Sequence, residues 1–165
     1  VPLYGPLINT VTRGARLGRF YLRSAATNVG KTRAMIGDAC FIGCSELYDL
    51  ETKKWKEIGV EQPTLFIATE QSLDEVQRMA LAFLSGVNED HIALSEYEND
   101  EYDRVIYAAN VLASSKLMFK SMPDFSLQDI ENIIKSIGDA KVVGIIITHN
   151  HFDHVGTYFY IIHLN

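Results

Sequence analysis

The chain of 165 residues has few cysteines and no long apolar run. Its two cysteines, Cys40 and Cys44, are four residues apart on a predicted helix and so share a face. We expect buried free thiols in a reducing cytoplasm in preference to a disulfide or a metal-binding pair. No apolar stretch reaches the roughly 18 residues of a membrane-spanning helix. We therefore expect a cytoplasmic protein with no membrane partner.

An initiating methionine and a recognisable leader are also absent. The opening V-P-L-Y-G-P is neither basic nor followed by an apolar region, so it does not match a signal peptide. The first residues look like the interior of a longer protein, and we expect a fragment. Its length still corresponds to one domain, or to part of a larger one, with enough residues to bury a core.

Positive charge is scarce over the chain as a whole. The formal net charge is -6, which excludes a global basic footprint for nucleic acid. A local footprint remains open because several basic residues cluster early. A solvated basic face is the alternative, and charge alone favours it. The cluster consists of Arg13, Arg16, Arg19, Arg23, Lys31 and Arg33.

What is present is an alternation of strand and helix patterns. We predict strands at Gly18–Ser24, Thr64–Ala68, Lys116–Lys120 and Val142–Ile147, a hairpin at Tyr48–Ile58, and helices that begin near Thr32, Ser72, Tyr102 and Ser126. Ser72 and Glu75 form a predicted capping box, and Gly86 a helix stop. This order is typical of an α/β fold with a mainly parallel sheet flanked by helices. Ligands of such sheets bind beyond the carboxyl ends of the strands.

A phosphate-binding loop is predicted between the first strand and the first long helix. The stretch S-A-A-T-N-V-G-K-T fits G-x-x-x-x-G-K-[ST], except that Ala25 replaces the first glycine. Small residues let backbone N–H groups surround a phosphate at the helix N-terminus. Lys31 would reach the β- and γ-phosphates, and Thr32 would offer a hydroxyl to Mg²⁺. A chance G-K-T at a helix start is the alternative, which the strand and helix on either side disfavour. The candidate nucleotide-binding residues are Ala25, Ala26, Thr27, Asn28, Val29, Gly30, Lys31, Thr32 and Arg33.

Glu70 is the candidate catalytic base and stands just past the predicted strand Thr64–Ala68. A carboxylate at that place could orient and deprotonate an attacking water. A solvated glutamate near a helix N-terminus is the alternative and is favoured when Glu70 is considered alone. Considered together with Lys31, the catalytic interpretation is favoured.

Residues 5 to about 135 resemble the RecA-like ATPase domain of hexameric replicative DNA helicases of the DnaB type. The resemblance rests on G-R-F-Y-L-R-S-A-A-T-N-V-G-K-T-R, T-L-F-I-A-T-E-Q-S-L-D-E-V-Q-R-M and G-V-N-E-D-H-I. In that family the first loop glycine is commonly alanine, as Ala25 is here, and Pro often stands where this chain has Thr27. The catalytic glutamate matches Glu70. The resemblance implies a P-loop (RecA-like) fold, ATP with Mg²⁺, single-stranded DNA as a partner, and a homohexamer in the full-length form.

Several features of that family have no counterpart in this chain. At the place of the Walker B strand the chain has V-V-G-I-I-I-T-H, without the aspartate, and no arginine finger or DNA-binding loops follow. We therefore expect an incomplete RecA-like core over residues 1–138. It would bind nucleotide without turning over ATP by itself. Whether the chain is an enzyme stays open, and a non-enzymatic nucleotide-binding remnant is an alternative.

A histidine cluster lies in the C-terminal strand-loop-strand, residues 139–165, which we do not expect to be an independent domain. The stretch T-H-N-H-F-D-H-V-G fits H-x-H-x-D-H and resembles the signature of the metallo-β-lactamase fold. Its candidate ligands for Zn²⁺ or Fe are His149, His151, Asp153 and His154. Only eleven residues follow His154, too few for the further ligands of that fold. Three interpretations stay open: a partial metal site, an inert loop, and a junction between a helicase-like and a hydrolase-like segment. A metal-dependent hydrolase is the alternative function.

Overall fold

The computed structural model describes residues 3–16, 19–23, 29–58, 60–137, 144–147 and 157–160. The helices in these ranges are α1 (Pro6–Thr12), α2 (Lys31–Gly43), α3 (Leu73–Ser85), α4 (Glu89–Leu94), α5 (Glu101–Ser114) and α6 (Leu127–Ser136). The strands are β1 (Phe20–Arg23), β2 (Glu46–Asp49), β3 (Lys54–Glu57), β4 (Thr64–Ala68), β5 (Leu117–Ser121), β6 (Gly144–Ile147) and β7 (Thr157–Tyr160). Among the residues described, no helix has both the length and the apolar character needed to cross a membrane.

The main sheet has five strands in the order β1-β7-β6-β4-β5, and β2 and β3 form a separate antiparallel hairpin. β4 pairs in parallel with both β5 and β6, whereas β7 is antiparallel to its two neighbours. The α/β prediction is confirmed. The expected parallel sheet is present over three strands. The reversal at β7 has a simple cause: nine residues separate it from β6, and a parallel crossover needs about a dozen or more.

Strand directions determine which loops share an edge of the sheet. β1 and β6 both pair antiparallel with β7, so β1 runs in the same direction as β6, β4 and β5. The last residues of these four strands therefore lie at one edge, which we call the carboxyl edge. The chain enters α2 from β1 and α3 from β4 at this edge.

Helices cover both faces of the sheet. Along β4 the side chains alternate, since successive residues of a strand point to opposite faces. Phe66 and Ala68 join the core formed with α2, α3 and α5. Leu65 and Ile67 join a second core with Ile130 of α6. All four β4 side chains are fully buried, which explains the continuous apolar run of this strand.

The prediction that both cysteines are free and buried is confirmed. Cys40 and Cys44 are free and buried on the sheet-facing side of α2 and at its end. Burial raises the pKa of the Cys40 thiol well above its usual value. A hydrogen bond with Cys40 lowers the pKa of Cys44. These thiols serve as core packing groups.

Several helix caps and ends are as predicted. Ser72 and Glu75 form the expected capping box. Gly86 ends α3 in the left-handed conformation. Ser126 caps α6, with Asp129 completing a second box. The short helices α1 and α4 were not predicted, because neither carries enough apolar periodicity in six or seven residues to stand out.

Candidate nucleotide site

The predicted nucleotide-binding residues divide into a described and an undescribed group. Val29, Gly30, Lys31, Thr32 and Arg33 are described and form the entry and first turn of α2. Four of the predicted loop residues, Ala25, Ala26, Thr27 and Asn28, lie outside the described residues. The site can therefore be examined from its helical side and from the sheet edge that it faces.

The start of α2 has the backbone arrangement that an anion site needs. Gly30 is its N-cap residue, in the left-handed conformation at φ 84, and a Cβ there would have no atom within 4 Å. No side chain among the described residues caps the helix, and its first turn carries no acidic residue. The first intrahelical bond runs from Ala34 N to Gly30 O at 3.0 Å. The preceding N–H groups thus face the carboxyl edge without a side-chain cap, an arrangement that favours phosphate.

Arg33 is engaged with the neighbouring helix α4. Its Nε and Nη2 atoms donate to Glu89 Oε2 at 3.0 and 2.7 Å. The Arg33 side chain is 68% exposed, so solvent screens this ion pair. Arg33 therefore neutralises a carboxylate beside the start of α2, and it would have to leave Glu89 to touch a nucleotide.

Glu70 lies at the same edge as the start of α2. It follows β4 directly and is exposed, while the preceding Thr69 is buried. Leu22 of β1 and Ile67 of β4 lie at the same level of the sheet, because the pairing runs from Leu22 through Tyr158 and Ile147 to Ile67. Three strand spacings then separate β1 from β4, which is roughly 14 Å. This distance separates the two strands only, since α2 itself packs against β4 and β5.

A neighbouring amide, the side chain of Gln71, is partly buried at this edge. The Oε1 atom of Gln71 is buried and has no hydrogen-bond partner among the described residues. Leaving such an acceptor unsatisfied costs about 1–3 kcal/mol. A water or hydroxyl donor at this position would remove that cost. Sequence reasoning missed Gln71, because its type and position carry no motif.

The histidine cluster falls between two described strands. His149, His151, Asp153 and His154 lie outside the described residues. The flanking strands β6 and β7 pair antiparallel, with Ile147 opposite Tyr158, so the chain leaves and returns at the carboxyl edge. Within the ranges that the structure describes, no group of three or more His, Cys, Asp or Glu side chains could hold a metal ion.

Comparison with known proteins shows similarity to a prophage-derived protein. No protein-family model matches the chain. The "SPbeta prophage-derived uncharacterized protein YorI" of Bacillus subtilis (strain 168) is 39% identical over 135 residues, which cover 82% of this chain and 27% of the relative. The chain thus spans about a quarter of the length of the curated relative that it matches. Since that relative is described as uncharacterized, the similarity assigns no activity to this chain.

Proposed function

We propose that this chain is the nucleotide-binding part of a DnaB-like replicative DNA helicase and that it binds ATP or ADP with Mg²⁺. The start of α2 is the observation that carries the proposal: a left-handed glycine, an uncapped helix N-terminus and the G-K-T sequence follow the carboxyl end of β1. In its full-length form we expect a homohexamer that acts on single-stranded DNA.

The residues at the carboxyl edge fit an anionic ligand with a bound metal. Lys31 would bind the β- and γ-phosphates, and the Thr32 hydroxyl would hold Mg²⁺, which supplies charge neutralisation when bound. Both side chains are partly exposed in the first turn of α2 and thus accessible to a ligand. Glu70 is exposed at the same edge and would orient the attacking water.

Calorimetric titration of the protein with ADP and Mg²⁺ tests the proposal. Lys31→Ala removes a charge-assisted contact worth about 1.5–3 kcal/mol, so we expect an affinity about 10- to 100-fold lower. The matched control is Lys53→Ala, which removes an exposed lysine from the turn of the β2–β3 hairpin. Equal affinities for the wild type and Lys31→Ala would overturn the proposal.

Glu70→Gln separates a helicase fragment that hydrolyses ATP from a non-enzymatic nucleotide-binding remnant. If the chain turns over ATP, we expect this variant to keep nucleotide affinity and lose phosphate release. Nucleotide binding by the wild type with no phosphate release supports the remnant instead. Phosphate release that is unchanged in Glu70→Gln removes Glu70 from the catalytic role.

A second candidate function is a metal-dependent hydrolase of the metallo-β-lactamase type. It is favoured by the antiparallel β6–β7 pair, which brings both ends of the histidine segment to the carboxyl edge. Elemental analysis after purification without chelator tests it. We expect stoichiometric Zn or Fe in the wild type and loss of the metal in His149→Ala and His151→Ala. A wild-type protein that carries no metal overturns this candidate.

A further inference from the structure

The strand β5 forms one outer edge of the main sheet. It pairs in parallel with β4 on one side, and no strand among the described residues pairs with its other side. An outer strand presents a row of backbone N–H and C=O groups with which a further strand can pair. The surroundings of β5 therefore decide whether this edge is protected or open to a partner.

The hydrogen bonds to β4 identify the backbone groups of β5 that face outward. Lys116 O accepts from Thr64 N at 3.0 Å, and Met122 N donates to Ala68 O at 2.8 Å. Because the backbone groups of successive residues in a strand point to opposite sides, the even-numbered residues from 116 to 122 face β4. The residues whose backbone groups face away from β4 are Leu117, Phe119 and Ser121.

These outward groups include both donors and acceptors. Leu117 N donates to the Ser115 Oγ atom at 3.2 Å and is therefore engaged. The N–H and C=O groups of Phe119 and the N–H group of Ser121 have no hydrogen-bond partner within the ranges that the structure describes. The middle and the end of the strand are thus available for pairing.

An apolar groove of about 420 Å³ lies beside this edge, between β5 and the helices α3 and α5. Leu117 and Phe119 line its sheet side, since residues two apart in a strand share a face. Ala109 and Ala113 line its α5 side, and their short side chains leave room for the side chains of a ligand. The other lining residues are Leu73, Gln77, Leu81 and Leu112.

Both ends of β5 carry a positive charge. Lys116 and Lys120 are exposed and have no ion-pair partner in the described part of the chain, whereas Lys56 and Lys135 each lie beside a carboxylate. The two lysines share the face of the strand opposite to the groove and stand about 13 Å apart. Lysines at a strand edge oppose pairing with a second copy of the same edge, and they favour a partner with acidic residues at this spacing.

We propose that β5 and the adjoining groove bind an extended peptide segment of a partner protein, which adds a strand to the sheet. The main chain of the peptide pairs with Phe119 and Ser121, and its apolar side chains at alternate positions enter the groove. Acidic side chains on its other face meet Lys116 and Lys120. In this mode of recognition main-chain pairing supplies affinity and the groove supplies specificity. A helical partner would leave the outward backbone groups unpaired, so an extended segment fits the edge better.

This edge is separate from the proposed nucleotide site. That site uses the start of α2 at Gly30, whereas Gly43, at the end of α2, is the residue that lies against Leu117. The 13 residues of α2 span about 20 Å. The inference therefore does not depend on nucleotide binding.

Fluorescence anisotropy with the labelled peptide T-D-V-T-V-D-T tests the proposal. Extended, this peptide places its two valines on one face and its two aspartates on the other, as the groove and the lysines require. We expect saturable binding with a dissociation constant below about 1 mM. N-methylation of alternate amides then tests strand pairing, because only one set of amides faces β5. One N-methylated peptide should lose binding, and the other should keep it within about threefold. Equal affinities of the two N-methylated peptides overturn the proposal.

Variants of the protein test the groove. Ala113→Glu places a longer, charged side chain at an exposed position of the lining and should weaken peptide binding at least tenfold, about the effect of placing an unpaired charge against an apolar contact. The matched control is Asn110→Glu, which adds the same charge at an exposed position of α5 outside the lining and should leave the affinity within about twofold. Equal weakening by the two variants overturns the proposal.

The lysines are tested by Lys116→Gln/Lys120→Gln. This variant should weaken binding about threefold and remove most of its salt dependence. The control Lys53→Gln/Lys54→Gln, on the β2–β3 hairpin, should behave as the wild type. A wild-type protein that shows no saturable peptide binding overturns the proposal. Sedimentation in which that protein self-associates and Ala113→Glu does not would then assign the edge to a second copy.

Discussion

The helices α2 and α3 have the same length of 13 residues and the same place in the topology, but they begin differently. Both follow a strand that ends at the carboxyl edge. At α3, Ser72 and Glu75 satisfy the first N–H groups reciprocally, and Asp74 adds negative charge to the first turn. At α2 the part of the chain that the structure describes supplies no side-chain cap, and the first turn carries Lys31 and Arg33. The difference is that α3 caps its own first turn, whereas the start of α2 fits the phosphate proposed above.

Burial separates the same two helices. α2 buries a continuous run of side chains from Met35 to Cys40, whereas α3 buries only one stripe that includes Val76, Ala80 and Leu84. The ends differ as well: α2 ends against β5, and α3 ends at the left-handed Gly86. Packing along its length therefore stabilises α2 without a side-chain cap at its N-terminus.

The largest expected change in stability tests how closely the end of α2 packs against β5. A Cβ at Gly43 would lie 2.8 Å from Leu117 Cβ and 3.2 Å from its Cα, so Gly43→Ala should lower the free energy of unfolding by about 1–3 kcal/mol. At Gly86 the new Cβ would meet only the flexible Leu50 side chain, and the left-handed φ costs about 1 kcal/mol. Urea denaturation should rank Gly43→Ala as the more destabilising. The reverse order would contradict tighter packing at the end of α2.

The second largest effect is expected when the N-terminal cap of α3 is removed. Ser72→Ala should cost about 1 kcal/mol of stability, because Glu75 N loses its acceptor, and should leave nucleotide affinity unchanged. Thr32→Ala, in the first turn of α2, should change stability by less than about 0.5 kcal/mol and weaken Mg²⁺-dependent nucleotide binding. Denaturation and calorimetry on both variants check this. If Thr32→Ala destabilises as much as Ser72→Ala, the two helix starts do not differ as described.

A smaller effect is expected at the ion pair beside the start of α2. Glu89→Gln breaks the exposed contact with Arg33 and should change stability by less than about 0.5 kcal/mol. It also removes negative charge near the predicted phosphate position, so nucleotide affinity should rise about twofold to fivefold. Titration with ADP and Mg²⁺ measures this change. Unchanged affinity would show that neither Arg33 nor Glu89 faces the nucleotide.

The smallest effect concerns the capping box of α6, which depends on an ionised carboxylate. Hydrogen bonds from the Ser126 hydroxyl and backbone N–H lower the pKa of Asp129 from 3.8. Because the folded pKa is the lower one, this stabilisation is present above about pH 4 and is lost as the pH falls through the folded value. The difference in melting temperature between the wild type and Asp129→Asn should therefore shrink between about pH 6 and about pH 3. A difference that stays constant with pH would assign the effect to shape alone.

Sequence patterns predicted much of the fold and only part of the site. β4 was predicted residue for residue, because a five-residue apolar run with polar residues on either side has few alternatives. The capping box at Ser72 was predicted because it uses local hydrogen bonds. The Arg33–Glu89 pair was not predicted, since 56 residues separate its members. The partial burial of Gln71 likewise depends on how other segments pack around it, which no local pattern encodes.

By itself the sequence determined the α/β alternation, the helix caps, the buried thiols and the candidate residues Lys31, Thr32 and Glu70. Each of these follows from the chemistry of residues close together along the chain. Tertiary structure decided that β7 runs against its neighbours and that the start of α2 and Glu70 share one edge. These relations arise from strand pairing and packing between segments far apart in sequence, where direction and register are set by the whole sheet.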